Sequence, residues 1–267
     1  MGKPKAAPRF DEPVLILDGT EDRLQLVLAQ DGMVGAAQAW TVPGRAMQFL
    51  APALKALLDG MDLTPRNLSG VACVRGPGSF TGLRMILATA LGMSRAAQIP
   101  TAGLDYLPLL AAGPAPLVSG TVAVITHSRT RQVYMQAFCA HDLTALAPAV
   151  ALSLEDAQRA LDALPRPLHI LGSGIDRNGE FFAEHAGDAI ILPVRFNHLS
   201  PEVLAEAACA ADFTLAPIEP LYLRASDAED NLRTIAAGRG LDPDDAARRL
   251  MEATTSVKSP DCQPTES

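Results

Sequence analysis

One stretch narrows what this chain can fold into more than any other: Val71-Ala-Cys-Val-Arg-Gly-Pro-Gly-Ser-Phe-Thr-Gly-Leu-Arg84 and the run that follows from Met85 to Ala97. A short apolar strand enters a glycine-rich corner and a helix leaves it. Gly76, Gly78 and Gly82 allow positive φ and close backbone approach, which a Cβ would oppose. Ser79 or Thr81 can cap the helix start through its hydroxyl. The helix carries only two charges, Arg84 and Arg95. At helical spacing one face reads Leu83, Leu87, Ala90, Ser94, Ala97, and the other Met85, Ala88, Thr89, Gly92, Met93, Ala96. A helix apolar nearly all round is expected to be covered on both sides. Ala88, Gly92 and Ala96 would let a second helix approach closely, so the second face belongs to the core or to a partner. The corner itself has two readings, a tight strand-to-helix turn or a weak anion site at a helix N-terminus, and the turn weighs more because it needs glycine regardless of any ligand. It lacks the Gly-Lys-Ser/Thr ending of a phosphate-binding P-loop, and Ser79 lacks the flanking glycines of a nucleophile elbow.

The 267 residues are enough for a sizeable core in one or two domains. The four cysteines (Cys73, Cys139, Cys209, Cys262) are far apart with no CxxC pair, and three sit in apolar runs expected to be buried, which argues for reduced thiols in a cytoplasm. The five histidines form no HxxH or HExxH pair, so neither a metal nor a cofactor is expected. A net charge of −8 with scattered Lys and Arg excludes a basic nucleic-acid footprint, so any contact with RNA would run through a partner. Met1 to Glu12 is polar, without the apolar stretch of a secretory signal, and no run of 18 or more apolar residues suggests a membrane span.

Strands are predicted at 14–17, 24–30, 33–42 and 69–74, with Asp31-Gly32 as a hairpin turn between the second and third. A helix over Arg45–Asp59 with Met47, Leu50, Leu54 and Leu57 on one face precedes the 69–74 strand. Strand 99–102 and a helix at 105–112 follow the Met85 helix. The second half repeats the order: strands at 121–126, 132–139 and 145–152, a helix starting at Ser153 with Glu155 and Asp156 in its first turn, strand 168–171, a helix to about His185, strand 189–192 and a helix from Pro201 to Asp212. Each half reads β-β-β-α-β-α-β-α, which on alternation alone supports an α/β protein. The expected organisation is a flexible arm at 1–12, a first subdomain at 13–112, a second at 113–199, a C-terminal helix and closing segment at 200–225 packing on the first, and an appended tail at 226–267 with one helix at 242–253.

Gly-Pro-Gly-Ser-Phe-Thr-Gly-Leu-Arg (76–84), the small-residue helix after it and Ile99-Pro-Thr-Ala-Gly-Leu-Asp105 closely resemble the bacterial TsaB family. Leu15-Ile-Leu-Asp18 and Glu219-Pro-Leu-Tyr-Leu-Arg224 extend the resemblance to roughly residues 13–226. The resemblance implies a duplicated actin-like, sugar-kinase and heat-shock ATPase (ASKHA) fold with a cleft between halves. It implies a non-catalytic subunit that pairs with a paralogue, TsaD, with a small ATPase, TsaE, joining, in forming threonylcarbamoyladenosine (t6A) on tRNA. Where such ATPases place a phosphate loop, this chain has Asp18 and then Gly19, Thr20, Glu21, Asp22, whose extra carboxylates would repel phosphates. The family usually carries Thr in place of Gly19, Asp in place of His127 and His in place of Ala46. The cleft around Asp18 is therefore expected to be vestigial, and no catalytic residue is assigned.

The expected partner surface joins the two helices: Met47, Leu50 and Leu54 from the first, and Arg84, Met85, Ala88, Thr89, Gly92, Met93 and Ala96 from the second. The same helices could close a homodimer, and tRNA would be reached only through the complex. The alternative from a different class is a stand-alone actin-like small-molecule kinase or ATPase.

Overall fold

The computed structural model describes residues 12–224 and Asp242. Two five-stranded sheets carry the fold. The first comprises β1 (Val14–Asp18), β2 (Arg23–Gln30), β3 (Met33–Thr41), β4 (Gly70–Gly76) and β5 (Thr101–Asp105), in the order β3-β2-β1-β4-β5. The second comprises β6 (Thr121–Arg129), β7 (Gln132–Cys139), β8 (Val150–Ser153), β9 (Leu168–Leu171) and β10 (Ile190–Ile191), in the order β10-β9-β6-β7-β8. Read from their third strands, the two orders are identical. In each, the first three strands pair antiparallel and the last two add in parallel. Parallel neighbours need crossovers, and helices supply them: α1 (Ala46–Gly60) and α2 (Phe80–Ala97) in the first half, α4 (Leu154–Asp162) and the pair α5 (Ser173–Arg177) and α6 (Gly179–His185) in the second. Helices α3 (Tyr106–Ala112) and α7 (Pro201–Cys209) close the halves. This is the duplicated ASKHA fold.

Strand alternation decides which residues meet. Leu15 and Leu17 of β1 and Leu24, Leu26 and Leu28 of β2 pack under α1 and α2. The intervening Ile16, Val27 and Ala29 face the other way, into a core shared with α3, α7 and the inner face of the second sheet at Val122, Val124, Tyr134 and Phe138. Ala123, Ile125, Val133 and Met135 cover α4 to α6 on the far side. Asp31 and Gly32 take left-handed φ of 52° and 74°, the conformation of a two-residue hairpin turn, as the Asp-Gly pair predicts. Beyond α7 the chain turns back along the edge of the first sheet. Thr101 and Thr214 exchange backbone bonds of 2.7 and 2.9 Å, and Leu221 N donates to Arg75 O at 2.8 Å.

Several expectations need correction. The strand expected at 145–152 is confined to Val150–Ser153, with Ala145 reduced to a single bridge to Phe138. The helix before His185 breaks at Asn178 into α5 and α6, and α7 ends at Cys209 rather than Asp212. Cys73 is buried as expected, but Cys139 is half-buried and Cys209 exposed; Cys262 lies outside the described residues. The arm expected at 1–12 and the helix expected at 242–253 also lie outside them, Glu12 and Asp242 apart. The described residues as far as Leu223 fall in one compact unit. Among the described residues no helix is long and apolar enough to cross a membrane.

Candidate functional site

Three places concentrate the sequence signals: the glycine corner, the outer faces of α1 and α2, and the space between the halves. At the corner, Gly76 sits at φ +114°, and a Cβ there would lie 2.9 Å from Leu221 O. A Cβ on Gly78 would lie 2.4 Å from Thr20 O, and one on Gly82 2.1 Å from Gly19 O, distances no real side chain tolerates. Ser79 N donates to Thr20 O at 2.8 Å, and Ser79 Oγ caps α2 by accepting from Gly82 N at 3.3 Å. Thr81 is exposed and plays no part in the cap. The corner is thus a seat for the turn after β1, and that packing accounts for its glycines without a ligand.

Helix α2 buries Leu83, Ile86, Ala90 and Ser94 against the sheet, and Ser94 Oγ ties the helix end to Ile99 O at 2.6 Å. The expectation that its second face is also covered fails within this chain. Ala88, Gly92 and Ala96 are exposed, and Met85, Thr89 and Met93 are half-buried. A Cβ added to Gly92 would meet nothing within 4 Å. From α1, Met47 is 68% exposed and Leu54 half-buried. Leu50 does not belong with them: it is 4% exposed and packs with Ala53, Leu57 and Leu58 under the helix, because its position shares their face toward β2. Arg84 is exposed and lies 5.7 Å from the Phe80 ring centroid, with its Nε 3.4 Å from Tyr222 Oη; Phe80 and Tyr222 stack at 4.6 Å. Tyr222 of the closing segment thus packs on the start of α2.

Between the halves lies a cavity of about 200 Å³ lined by Asp18, Glu21, Arg23, Tyr106, Ser173 and Arg177, among others. Asp18 is buried and accepts from Thr20 N at 3.0 Å; burial raises its carboxyl above the ordinary value, and the Thr20 contacts only partly offset that. Glu21 reaches across the cavity. One oxygen accepts from Tyr106 Oη at 3.0 Å, and the other makes a short contact with Ser173 Oγ. Burial pushes Glu21 up to about 7 against these two hydrogen bonds, and pushes the Tyr106 hydroxyl well above its usual range. Ser173 Oγ also accepts from His127 N at 2.9 Å, and Asp22 pairs with Arg177 at 2.6 Å. Burial, then the Arg177 charge, lowers the His127 imidazole. Behind the far wall, buried Asn197 accepts from Gly172 N at 2.6 Å and donates to the wall residue Asp176 at 2.7 Å.

Asp18 and the Glu21-Asp22 turn stand out in the sequence; Tyr106, Ser173, Arg177 and Asn197 do not. Glu21 and Ser173 are 152 positions apart, and no local pattern links them. The one available signal is that Gly172-Ser173 follows a strand as Gly19-Thr20 does.

Residues 45–169 match the sequence profile of the TsaD family, tRNA N6-adenosine threonylcarbamoyltransferase. An uncharacterized protein of Mycobacterium tuberculosis is 31% identical over 205 residues, covering 76% of this chain and 87% of its own. The tRNA threonylcarbamoyladenosine biosynthesis protein TsaB of Bacillus subtilis is 24% identical over 221 residues, 81% of this chain and 96% of its own. YeaZ from Pseudomonas aeruginosa superposes with a TM-score of 0.62 over 79% of this chain and all of its own, at 20% identity, a likeness of fold. Glycine corner, duplicated sheets and curated relatives agree: this chain belongs to the TsaB family.

Proposed function

We propose that this chain takes part in t6A formation on tRNA as a non-catalytic, activating subunit. It pairs through the outer faces of α1 and α2 with a TsaD-type transferase, and a TsaE-type ATPase joins the pair in the cytoplasm. The observation that carries the reading is the unobstructed face of α2. Met85, Ala88, Gly92 and Met93 form a small-residue surface beside Met47 and Leu54. Backbones that meet at Gly and Ala come close enough for dense packing, and apolar surface left open on a soluble chain marks an interaction site. The cleft supports the non-catalytic part. Its lining holds four carboxylates, Asp18, Glu21, Asp22 and Asp176, against Arg23 and Arg177, and the Glu21–Ser173 and Asp22–Arg177 contacts span the place where a nucleotide's phosphates would lie. A homodimer through the same helices belongs to this reading when the transferase is absent.

The test is light scattering of this chain mixed with the TsaD paralogue from its own organism, beside Gly92→Glu. Wild type should form a stoichiometric complex. The variant should weaken it at least about a hundredfold, since an unpaired charge buried in an interface costs about 3–5 kcal/mol. Pairing that survives in a folded Gly92→Glu protein would remove α2 from the interface. ATP turnover by the purified chain would revive the stand-alone kinase or ATPase.

A further inference from the structure

The flank of α2 that turns away from α1 carries a second feature. A groove of about 370 Å³ runs between α2 and the returning C-terminal segment, floored by Leu87, Ala88 and Leu91 and walled by Pro217, Ile218 and Tyr222. Its wall is fixed before any partner arrives. The Thr101–Thr214 backbone pair and the Leu221–Arg75 bond anchor it at both ends, and the prolines restrict the backbone between. The groove is apolar and open, with Leu91 of its floor 39% and Tyr222 of its wall 37% exposed. Arg84 stands at one end, already oriented by Phe80 and Tyr222. Arg95 lies eleven residues on, three turns or about 16 Å along the same flank. No carboxylate among the described residues pairs with either arginine. A chain of net charge −8 thus presents an apolar groove with one arginine in its lining and a second further along the same helix flank.

We infer that this groove docks a short amphipathic helix of a protein partner, its apolar stripe against Leu87, Ala88 and Leu91 and its carboxylates at Arg84 and Arg95. Pre-ordered Tyr and Arg side chains beside an apolar floor have the composition of an interface hot spot. A carboxylate at each end of the guest gains a charge-assisted hydrogen bond, and a lysine there is repelled. A second copy of this chain fits poorly, because a two-fold antiparallel pairing of α2 with itself sets each Arg84 beside the other's Arg95. This surface borders the one centred on Gly92, sharing Ala88 with it, and stands whether or not that one binds the transferase.

The probe is a fluorescein-labelled alanine-based helix of about 14 residues, with a leucine stripe and glutamates at both ends, beside a lysine-ended counterpart. Each is titrated into the full chain and followed by anisotropy at low and physiological salt. The glutamate-ended helix should bind at least about tenfold more tightly than the lysine-ended one, and the gap should shrink with salt. Arg84→Glu should invert the preference and Leu91→Asp should abolish binding, both with circular dichroism unchanged because both side chains are exposed. Met47→Glu, on α1 and outside the groove, should leave binding intact. Equal binding of the two helices, no binding to wild type, or a dimer that Leu91→Asp dissolves would overturn the inference; the last would assign the groove to a second copy.

Discussion

The cleft between the halves and the outer face of α2 are opposites. The cleft is rich in groups capable of chemistry, and several of those groups are engaged with one another: Glu21 with Tyr106 and Ser173, Asp22 with Arg177, and, behind the wall, Asn197 with Asp176. The α2 face has almost no reactive groups, and little in the chain touches it: Gly92 has open space around it and Ala88 and Ala96 are exposed. Polar residues that satisfy each other across a domain boundary hold that boundary shut. Small apolar residues left uncovered have no intramolecular reason to be there. What this teaches is to look for function where surface is uncommitted, and the cleft's crowded carboxylates then read as a clasp between halves.

The contrast is sharpest between two glycines ten residues apart on the same helix. Gly82→Ala should cost about 3–5 kcal/mol, because its methyl would lie 2.1 Å from the Gly19 carbonyl oxygen and backbone has to move. Urea titration of the variant measures this. Equal tolerance at Gly82 and Gly92 would erase the distinction between packed corner and open face. Side chains should divide the same way. Ile86→Ala, fully buried, should lose about 2–5 kcal/mol, and Met47→Ala should fall within about 0.5 kcal/mol of wild type. Thermal melts of both variants decide it.

The clasp has a pH signature. Folding raises Glu21 from 4.5 to about 7, so the native state holds that proton more tightly than the unfolded chain does. Its contribution to stability is complete below about 4.5 and is lost as pH rises through about 7. Glu21→Gln, which keeps the shape and cannot ionise, should remove that decline from the stability profile between pH 5 and pH 8; a profile parallel to wild type would mean the carboxylate is not confined as described. The smallest effect belongs to the open face. Gly92→Ala should leave stability unchanged or raise it by up to about 1 kcal/mol, the ordinary preference of a helix for alanine. A loss there would reveal a contact within the chain.

The parts of the fold legible in the sequence were those encoded locally. Alternation in Leu24–Leu28, the Asp31-Gly32 turn, the cap at Ser79 and the helix start at Ser153 each act over a few residues, and the structure has them in place. The duplicated order of elements followed from them together with the family resemblance. What was not legible depends on distant partners. Leu50 and Met47 are both apolar on one short helix, and only the position of β2 decides that one is core and the other surface. The corner's glycines left a weak anion site open beside the favoured tight turn, and the turn at Gly19-Thr20 that fills the space lies some sixty residues earlier in the chain. Ser173 and Tyr106 have no pattern of their own, because Glu21 alone makes them part of the cleft.

The most direct test of the central claim is the mass of the complex formed with the TsaD paralogue, wild type beside Gly92→Glu, both verified as folded. The account predicts a one-to-one or two-to-two complex for wild type and separate species for the variant. Wild type that stays apart from TsaD even with the ATPase subunit and ATP present would contradict it.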